Sequence, residues 1–136
     1  MRRRDFSAGA LALAGLKALG ADRPSRFEWL MHVEEAVEQR AEASFLVRNG
    51  AVAMDVQFLL PDGLAAKAAD RLLSAVTDPA ASCLIVAVLH PRKGDAPAAI
   101  AQLDPRQDGR LGIAIAAGNR RASVSLDLTS QTVAVG

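Results

Sequence analysis

The segment Phe27-Glu-Trp-Leu-Met-His-Val33 decides the fold, because apolar and polar residues alternate along most of it. Its odd positions carry Phe, Trp, Met and Val, whereas its even positions carry Glu, Leu and His. Successive side chains of a β-strand point to opposite faces of a sheet. This period of two therefore predicts a strand with one buried face.

The same alternation returns in residues 52–60 and 122–128, and two dipeptides beside these segments favour tight turns. Asn49-Gly50 precedes the first segment, and Gly118-Asn119 precedes the second. An Asn-Gly pair tolerates the positive φ angles of a type I′ turn, so a hairpin of that type is predicted at Asn49-Gly50. Gly118-Asn119 predicts a second hairpin.

Residues 83–89 are apolar at every position, which is typical of a central strand that is buried on both faces. His90-Pro91 is expected to end this strand, and residues 92–95 are expected to form an exposed turn. Short strands are also predicted over residues 98–103, 111–117 and 132–135.

Two segments favour other structure on local grounds. Apolar residues recur at every fourth position from Leu64 to Val76, and this spacing predicts a helix. Residues 34–43 are polar and rich in Glu, Gln and Ala, so a short helix or a loop is predicted there. With about seven or eight short strands, the sequence predicts a mainly β chain: an antiparallel β-sandwich with one or two short helices.

Composition bounds the function. The 136 residues are 51% hydrophobic and 23% charged, which is ordinary for one folded domain. Sixteen basic residues balance 15 acidic ones, so no basic surface indicates nucleic-acid binding. The single cysteine, Cys83, excludes an internal disulfide and a multi-cysteine metal site, and its apolar surroundings predict an unreactive thiol.

Residues 1–21 are typical of an export leader. Arg3-Arg4-Asp5-Phe6 resembles the twin-arginine signal of bacterial exporters, although Ser7 stands where that signal usually has Leu. The apolar run that follows is shorter than the about 20 residues that span a bilayer. We therefore expect no stable membrane span and a periplasmic or secreted protein.

Ala18-Leu19-Gly20 is an acceptable cleavage site, which leaves residues 22–136 as the β-sandwich domain. The alternatives are that the N-terminal residues form a surface amphipathic helix or that their likeness to a leader is accidental.

Ser25-Arg-Phe-Glu-Trp-Leu-Met-His32 resembles a strand in the β-sandwich part of heparinase II/III-like polysaccharide lyases. Later strands of that sandwich are similar, in the same order, to residues 51–61, 84–91, 108–115 and 122–127. The resemblance implies a supersandwich-like fragment over roughly residues 22–135, with strand and loop instead of helix over residues 64–76. The α/α toroid that precedes the sandwich in this family has no counterpart in the sequence.

The family's chemistry falls largely to Tyr, His and Asn or Arg of the toroid, and this chain has neither a toroid nor a tyrosine. The resemblance therefore implies a non-catalytic or remnant sandwich domain associated with the degradation of acidic polysaccharide. Two alternatives stay open. One is a small exported binding or interaction protein with an intact sandwich, and the other is a lyase half-domain that becomes active when a separate toroid chain docks on it.

The partners expected on these grounds are acidic polysaccharide, a toroid chain or a second copy. Because the chain begins partway through the family's sandwich, an unpaired edge and an exposed apolar patch are expected, with residues 27–33 as the seam.

The resemblance implies substrate contacts by His32, Trp29 and Arg92, and no catalytic residue is assigned. A histidine of this strand region lies near the toroid–sandwich cleft of the family and helps to hold a metal in some members. Zinc needs three or four ligands, so zinc at His32 would require ligands from a partner chain, and no resident cofactor is expected.

Each of these assignments has a plainer alternative. For His32 it is a partly buried histidine hydrogen-bonded to Glu28 or to backbone. For Trp29 it is an anchor of the hydrophobic core. Arg92-Lys93 and Arg120-Arg121 lie on predicted turns and could meet an acidic glycan, but exposed basic turns are common.

Overall fold

The computed structural model describes residues 10–16, 24–93, 95–107 and 109–136. All regular structure in these ranges is β-strand, and every pairing is antiparallel. The strands are β1 (Ala10–Leu16), β2 (Glu28–His32), β3 (Ala36–Ala41), β4 (Ser44–Asn49), β5 (Val52–Leu60), β6 (Ala65–Ala69), β7 (Leu72–Val76), β8 (Cys83–Lys93), β9 (Ala99–Gln107), β10 (Arg110–Ala117), β11 (Arg120–Asp127) and β12 (Thr132–Val135). The predicted mainly β, antiparallel fold is confirmed.

The chain divides into two compact units, Met1–Ala96 and Pro97–Gly136. The first contains a five-stranded sheet of order β1-β8-β5-β4-β3 and a three-stranded sheet of order β2-β7-β6. Both sheets contribute to one hydrophobic core, which consists of Phe45, Val56, Phe58, Leu73, Ala75, Ile85 and Ala87. Because β7 supplies Leu73 and Ala75 and the five-stranded sheet supplies the rest, the two sheets pack face to face as a sandwich.

β8 is the central strand that its composition predicts. It pairs with β1 on one side and β5 on the other. Ile85 and Ala87 point into the core, and Val86 and Val88 are buried on the opposite face. The prediction that His90-Pro91 ends this strand is wrong, since β8 continues to Lys93. Beyond Leu89, which pairs with Ala10, β8 has a neighbour on one side only among the described residues, and a proline is tolerated where a strand has a free edge.

The helix predicted over residues 64–76 is also wrong. β6 and β7 form a hairpin in which Ala69 pairs with Leu72 and Asp70 adopts a φ of +54°. A spacing of four residues is ambiguous, because it keeps side chains on one face of a strand as well as of a helix. Burial of β7 between β2 and β6 outweighs the helix propensity of the alanines.

Residues 34–43, for which a short helix or a loop was the expectation, contain β3, which pairs with β4. The described residues contain no helix. In particular, they contain none that is long and apolar enough to cross a membrane.

The hairpin beside Asn49-Gly50 is present, but its loop is one residue later than the type I′ prediction requires. Asn49 pairs with Val52, so Gly50 and Ala51 form the loop. Gly50 has a φ of +64°, whereas Ala51 does not have a positive φ. A positive φ at the first loop residue alone is the pattern of a type II′ turn. The hairpin at Gly118-Asn119 is confirmed, with a φ of +63° at Gly118.

The second unit is a four-stranded sheet of order β12-β11-β10-β9. Among the side chains described for this unit, the buried ones lie on one face and are Ala101, Leu111, Ile113, Val124 and Leu126. At the end of β11, the Asp127 carboxylate accepts hydrogen bonds from the backbone N–H groups of Thr129 and Ser130, at 3.0 and 3.1 Å. These bonds favour the ionised form and lower the pKa of Asp127, so the loop before β12 is tied most firmly when this carboxyl is charged.

The N-terminal strand lies within the segment predicted as an export leader. β1 pairs with β8 over seven residues, from Ala10 opposite Leu89 to Leu16 opposite Cys83. The twin-arginine motif at residues 3–6 and the cleavage site at residues 18–20 lie outside the described residues.

Replacing Ala65 by Thr tests the β6–β7 hairpin. Ala65 is an exposed residue of β6, and a β-branched residue is favoured in a strand but disfavoured in a helix. We expect Ala65→Thr to raise the free energy of unfolding by about 0.5 kcal/mol. The measurement is urea unfolding followed by the fluorescence of Trp29, the only tryptophan, which packs against the core of the first unit. Ala81→Thr, at an exposed bend, is the control and should change stability less; a loss at position 65 would contradict the hairpin.

Candidate functional site

A polar cluster of Asp55, His90 and Arg92 lies on the face of the five-stranded sheet that points away from the core. Val56 and Phe58 of β5 point into the core, so the alternation of the strand directs Asp55 to the opposite face. On β8 the same alternation directs His90 and Arg92 to that face. The register between the strands sets Asp55 opposite His90.

Arg92 binds the carboxylate of Asp55 with two donors. Its Nε lies 2.9 Å from Oδ2 and its Nη2 lies 3.1 Å from Oδ1, while its Nη1 donates to the carbonyl oxygen of Ala96 at 2.7 Å. Nδ1 of His90 lies 3.3 Å from Oδ2 of Asp55. The two-pronged contact of Arg92 with Asp55 holds the guanidinium and the carboxylate in one geometry and makes a strong charge-assisted pair.

Because the cluster is buried, its contacts affect the stability of the fold. The side chains of His90, Arg92 and Asp55 are only 11%, 13% and 16% exposed. A buried carboxylate is costly unless it is paired, and here the guanidinium supplies the opposite charge. A carboxylate beside a histidine can orient the ring for acid–base chemistry, but in this cluster Oδ2 also accepts from Arg92. The arrangement therefore acts as a clamp between β5, β8 and the turn that ends at Ala96.

Sequence reasoning found only one member of this cluster. Arg92 was expected on an exposed turn, whereas it lies within β8 with its guanidinium bound to Asp55. The alternation predicted over residues 52–60 includes Asp55, and His90-Pro91 was expected to end its strand. A polar residue flanked by apolar positions on β5 indicated that this residue would need a polar partner. The partner could not be identified, because 35 residues separate Asp55 from His90.

The three residues to which the resemblance gives substrate contacts do not converge. Trp29 points to the inner side of the three-stranded sheet, where its ring meets Phe58 edge to face at a centroid distance of 5.0 Å. His32 lies on the outer face of that sheet, and Arg92 lies on the outer face of the other sheet. Trp29 therefore serves as a core anchor in this fold, which was the plainer alternative.

The plainer alternative for His32 was a partly buried histidine hydrogen-bonded to Glu28 or to backbone, whereas the structure leaves the residue exposed. Four residues of extended strand place the two side chains about 13 Å apart. As to the tentative metal site, the described side chains include no group of three or more His, Cys, Asp or Glu that could hold an ion.

Cys83 begins β8 and packs against the core. Burial raises the pKa of its thiol, so less thiolate is present at neutral pH than in an unfolded chain. A low thiolate fraction disfavours a nucleophilic role for this residue.

The open edge of β2 is a second surface with unused binding capacity. β2 has β7 as its neighbour in the three-stranded sheet and no strand on its other side among the described residues. Glu28, Leu30 and His32 are exposed there, with Leu30 at 55%. We call these three residues the β2 edge. A bare strand edge of this kind can pair with another chain, and it coincides with the seam expected at residues 27–33.

Comparison of the chain with protein-family models, curated proteins and solved structures yields no match in any of the three. The resemblance to heparinase II/III-like lyases thus rests on the sequence segments quoted above.

Removing Arg92 tests the clamp. We expect Arg92→Ala to lower the free energy of unfolding by about 3 kcal/mol, because it removes the guanidinium that binds both oxygens of the buried Asp55 carboxylate. Arg92→Lys should restore only part of this, since an ammonium cannot form the two-pronged contact. The measurement is urea unfolding followed by Trp29 fluorescence.

Arg48→Ala is the matched control. Arg48 lies in the same row of the sheet, opposite Ala53, but its side chain is exposed. Its removal should change stability by less than about 0.5 kcal/mol. Equal losses in the Arg48 and Arg92 variants would contradict the clamp.

Proposed function

We propose that the chain is a non-catalytic β-sandwich protein, related to the sandwich part of heparinase II/III-like lyases, that serves acidic polysaccharide degradation by binding. The observation that carries this proposal is the closed cluster of Asp55, His90 and Arg92. The ionisable side chains of this cluster bind one another, whereas a lyase needs a base and a proton donor that face the substrate.

Exposed cations supply the contact with an acidic polymer in this proposal. Arg120 and Arg121 follow the β10–β11 turn, and both are exposed. Successive side chains of a strand point to opposite faces, so the two guanidinium groups lie on opposite faces of the sheet, and each can bind a carboxylate or sulfate group with two donors. In this proposal Arg120 and Arg121 take the place of Arg92, because the guanidinium of Arg92 binds Asp55. His32 stays exposed on the three-stranded sheet.

The proposal includes export to the periplasm or beyond. Its support is the sequence Arg3-Arg4-Asp5-Phe6 and the short apolar run that follows.

Binding to heparin tests the role of the arginine pair. We expect the chain to be retained on immobilised heparin, and the double variant Arg120→Ser/Arg121→Ser to bind about three- to tenfold more weakly, because two exposed ion contacts are lost. Arg48→Ser/Lys67→Ser removes the same charge from exposed positions of the other unit and is the control. Equal weakening by both double variants would point to net charge alone and would contradict a site at residues 120–121.

The same preparation tests catalysis separately. Incubation with heparin, heparan sulfate, alginate or hyaluronate should give no ultraviolet-absorbing unsaturated product. Turnover above that of a heat-denatured control would overturn the non-catalytic assignment and favour a lyase.

Export is tested in a bacterial host. We expect the chain to reach the periplasm and to be trimmed near Gly20, and Arg3→Lys/Arg4→Lys to hold it in the cytoplasm, since the exporter distinguishes the arginine pair from lysines. Cell fractionation with N-terminal mass determination is the measurement, and Arg26→Lys is the control outside the leader. Cytoplasmic protein with an intact N-terminus would contradict the export signal.

A further inference from the structure

We propose that two copies of this chain associate by antiparallel pairing of their β2 strands, with the two-fold axis passing beside Leu30. The pairing joins two three-stranded sheets into one continuous six-stranded sheet. It goes beyond the proposed function, because it requires neither a glycan nor a lyase partner.

The backbone of β2 supports this pairing. Thr77 donates its N–H to the carbonyl of Phe27 at 3.0 Å, and Val33 donates to the carbonyl of Arg71 at 2.8 Å. Odd-numbered residues of this segment therefore direct their backbone groups toward β7. Since these groups alternate along an antiparallel strand, the N–H and C=O of the β2 edge residues point away from β7. A second β2 can bond to them, with two hydrogen bonds for each pair of facing residues.

Charge selects one register among those that the backbone allows. With the axis at Leu30, Glu28 faces His32 of the second copy, and the symmetry repeats this contact. A shift of one register in either direction brings Glu28 opposite Glu34, or His32 opposite Arg26. A carboxylate that faces an imidazole can accept a hydrogen bond from its N–H, whereas Glu28 opposite Glu34 sets two like charges across the strands, so the register centred on Leu30 is favoured. The residues that face Glu28 and His32 within the chain, Val76 and Leu72, are apolar.

Apolar contacts agree with the same register. Leu30 is 55% exposed in the single chain and faces its own symmetry mate across the axis. On the inner side of the sheet, Trp29 faces Met31 of the second copy. Both are partly buried side chains that pack against the core, so their contact extends the core across the interface. The pairing thus removes apolar surface from water on both faces of the sheet.

Charge-exchange variants test the register. We expect His32→Glu to weaken dimerisation about tenfold, because two Glu–Glu contacts replace two Glu–His contacts. Glu28→Lys should also weaken it. The double variant Glu28→Lys/His32→Glu should recover the wild-type dissociation constant or improve on it, since each Lys then faces a Glu. Sedimentation equilibrium of the full chain from about 10 µM to about 1 mM covers the range of a small, weak interface.

Two further measurements separate pairing from unfolding or unspecific association. Amide hydrogen exchange should slow with protein concentration at Glu28, Leu30 and His32, and should not change at Trp29 and Met31. Leu30→Lys should abolish the dimer by placing two charges at the axis. Ile100→Lys, at a 63% exposed residue of the edge strand β9, should leave it intact.

A chain that remains monomeric to about 1 mM overturns the proposal. So does a double variant that stays as weak as His32→Glu, because rescue is specific to the register in which residues 28 and 32 face each other. Loss of the dimer in Ile100→Lys would also overturn it.

Discussion

The pairing of β5 with β8 is the contact on which the rest of the first unit depends. Its register sends Val56 and Phe58 into the core and sets Asp55 opposite His90 on the other face. A slip of one residue would reverse these directions, exposing the core residues and leaving the carboxylate among apolar side chains. The contact between Asp55 and Arg92 crosses the same strand pair, so the correct register is the one in which the buried charges meet.

This clamp explains how a largely apolar sandwich accommodates ionisable groups in its central strands. A buried ion pair contributes less to net stability than its close contacts suggest, because both groups lose their hydration. Its effect is selective, since every arrangement that separates Asp55 from Arg92 loses the two-donor contact between the two charged groups. The hydrophobic core drives the sheets together, and the clamp distinguishes one strand alignment from its neighbours. Because its guanidinium is bound to Asp55, Arg92 is not available to bind a ligand.

The sequence predicted the type of structure more reliably than it predicted contacts. Alternation over residues 27–33 and the apolar run at 83–89 indicated strands correctly, because those patterns are local. The helix predicted over residues 64–76 was wrong, since a spacing of four fits a strand face as well as a helix face. The burial of β7 between two strands favoured the hairpin. The cluster of Asp55, His90 and Arg92 was missed for a related reason. Asp55 and His90 meet only through pairing between distant strands, which no single segment encodes. The open edge of β2, by contrast, lies in the segment whose seam the sequence anticipated.

The position of β1 has a kinetic consequence. Residues 10–16 belong to the predicted export leader, yet they are also bonded along β8 from Cys83 to Leu89. A segment whose backbone is paired within a sheet cannot simultaneously lie in the groove of a receptor. If the leader is recognised for export, docking of β1 and capture by the exporter are competing fates of one nascent chain. The time that passes before β1 pairs with β8 then sets how long the leader is accessible to the exporter. A substitution that speeds this pairing would shorten the interval in which the chain can leave the cytoplasm.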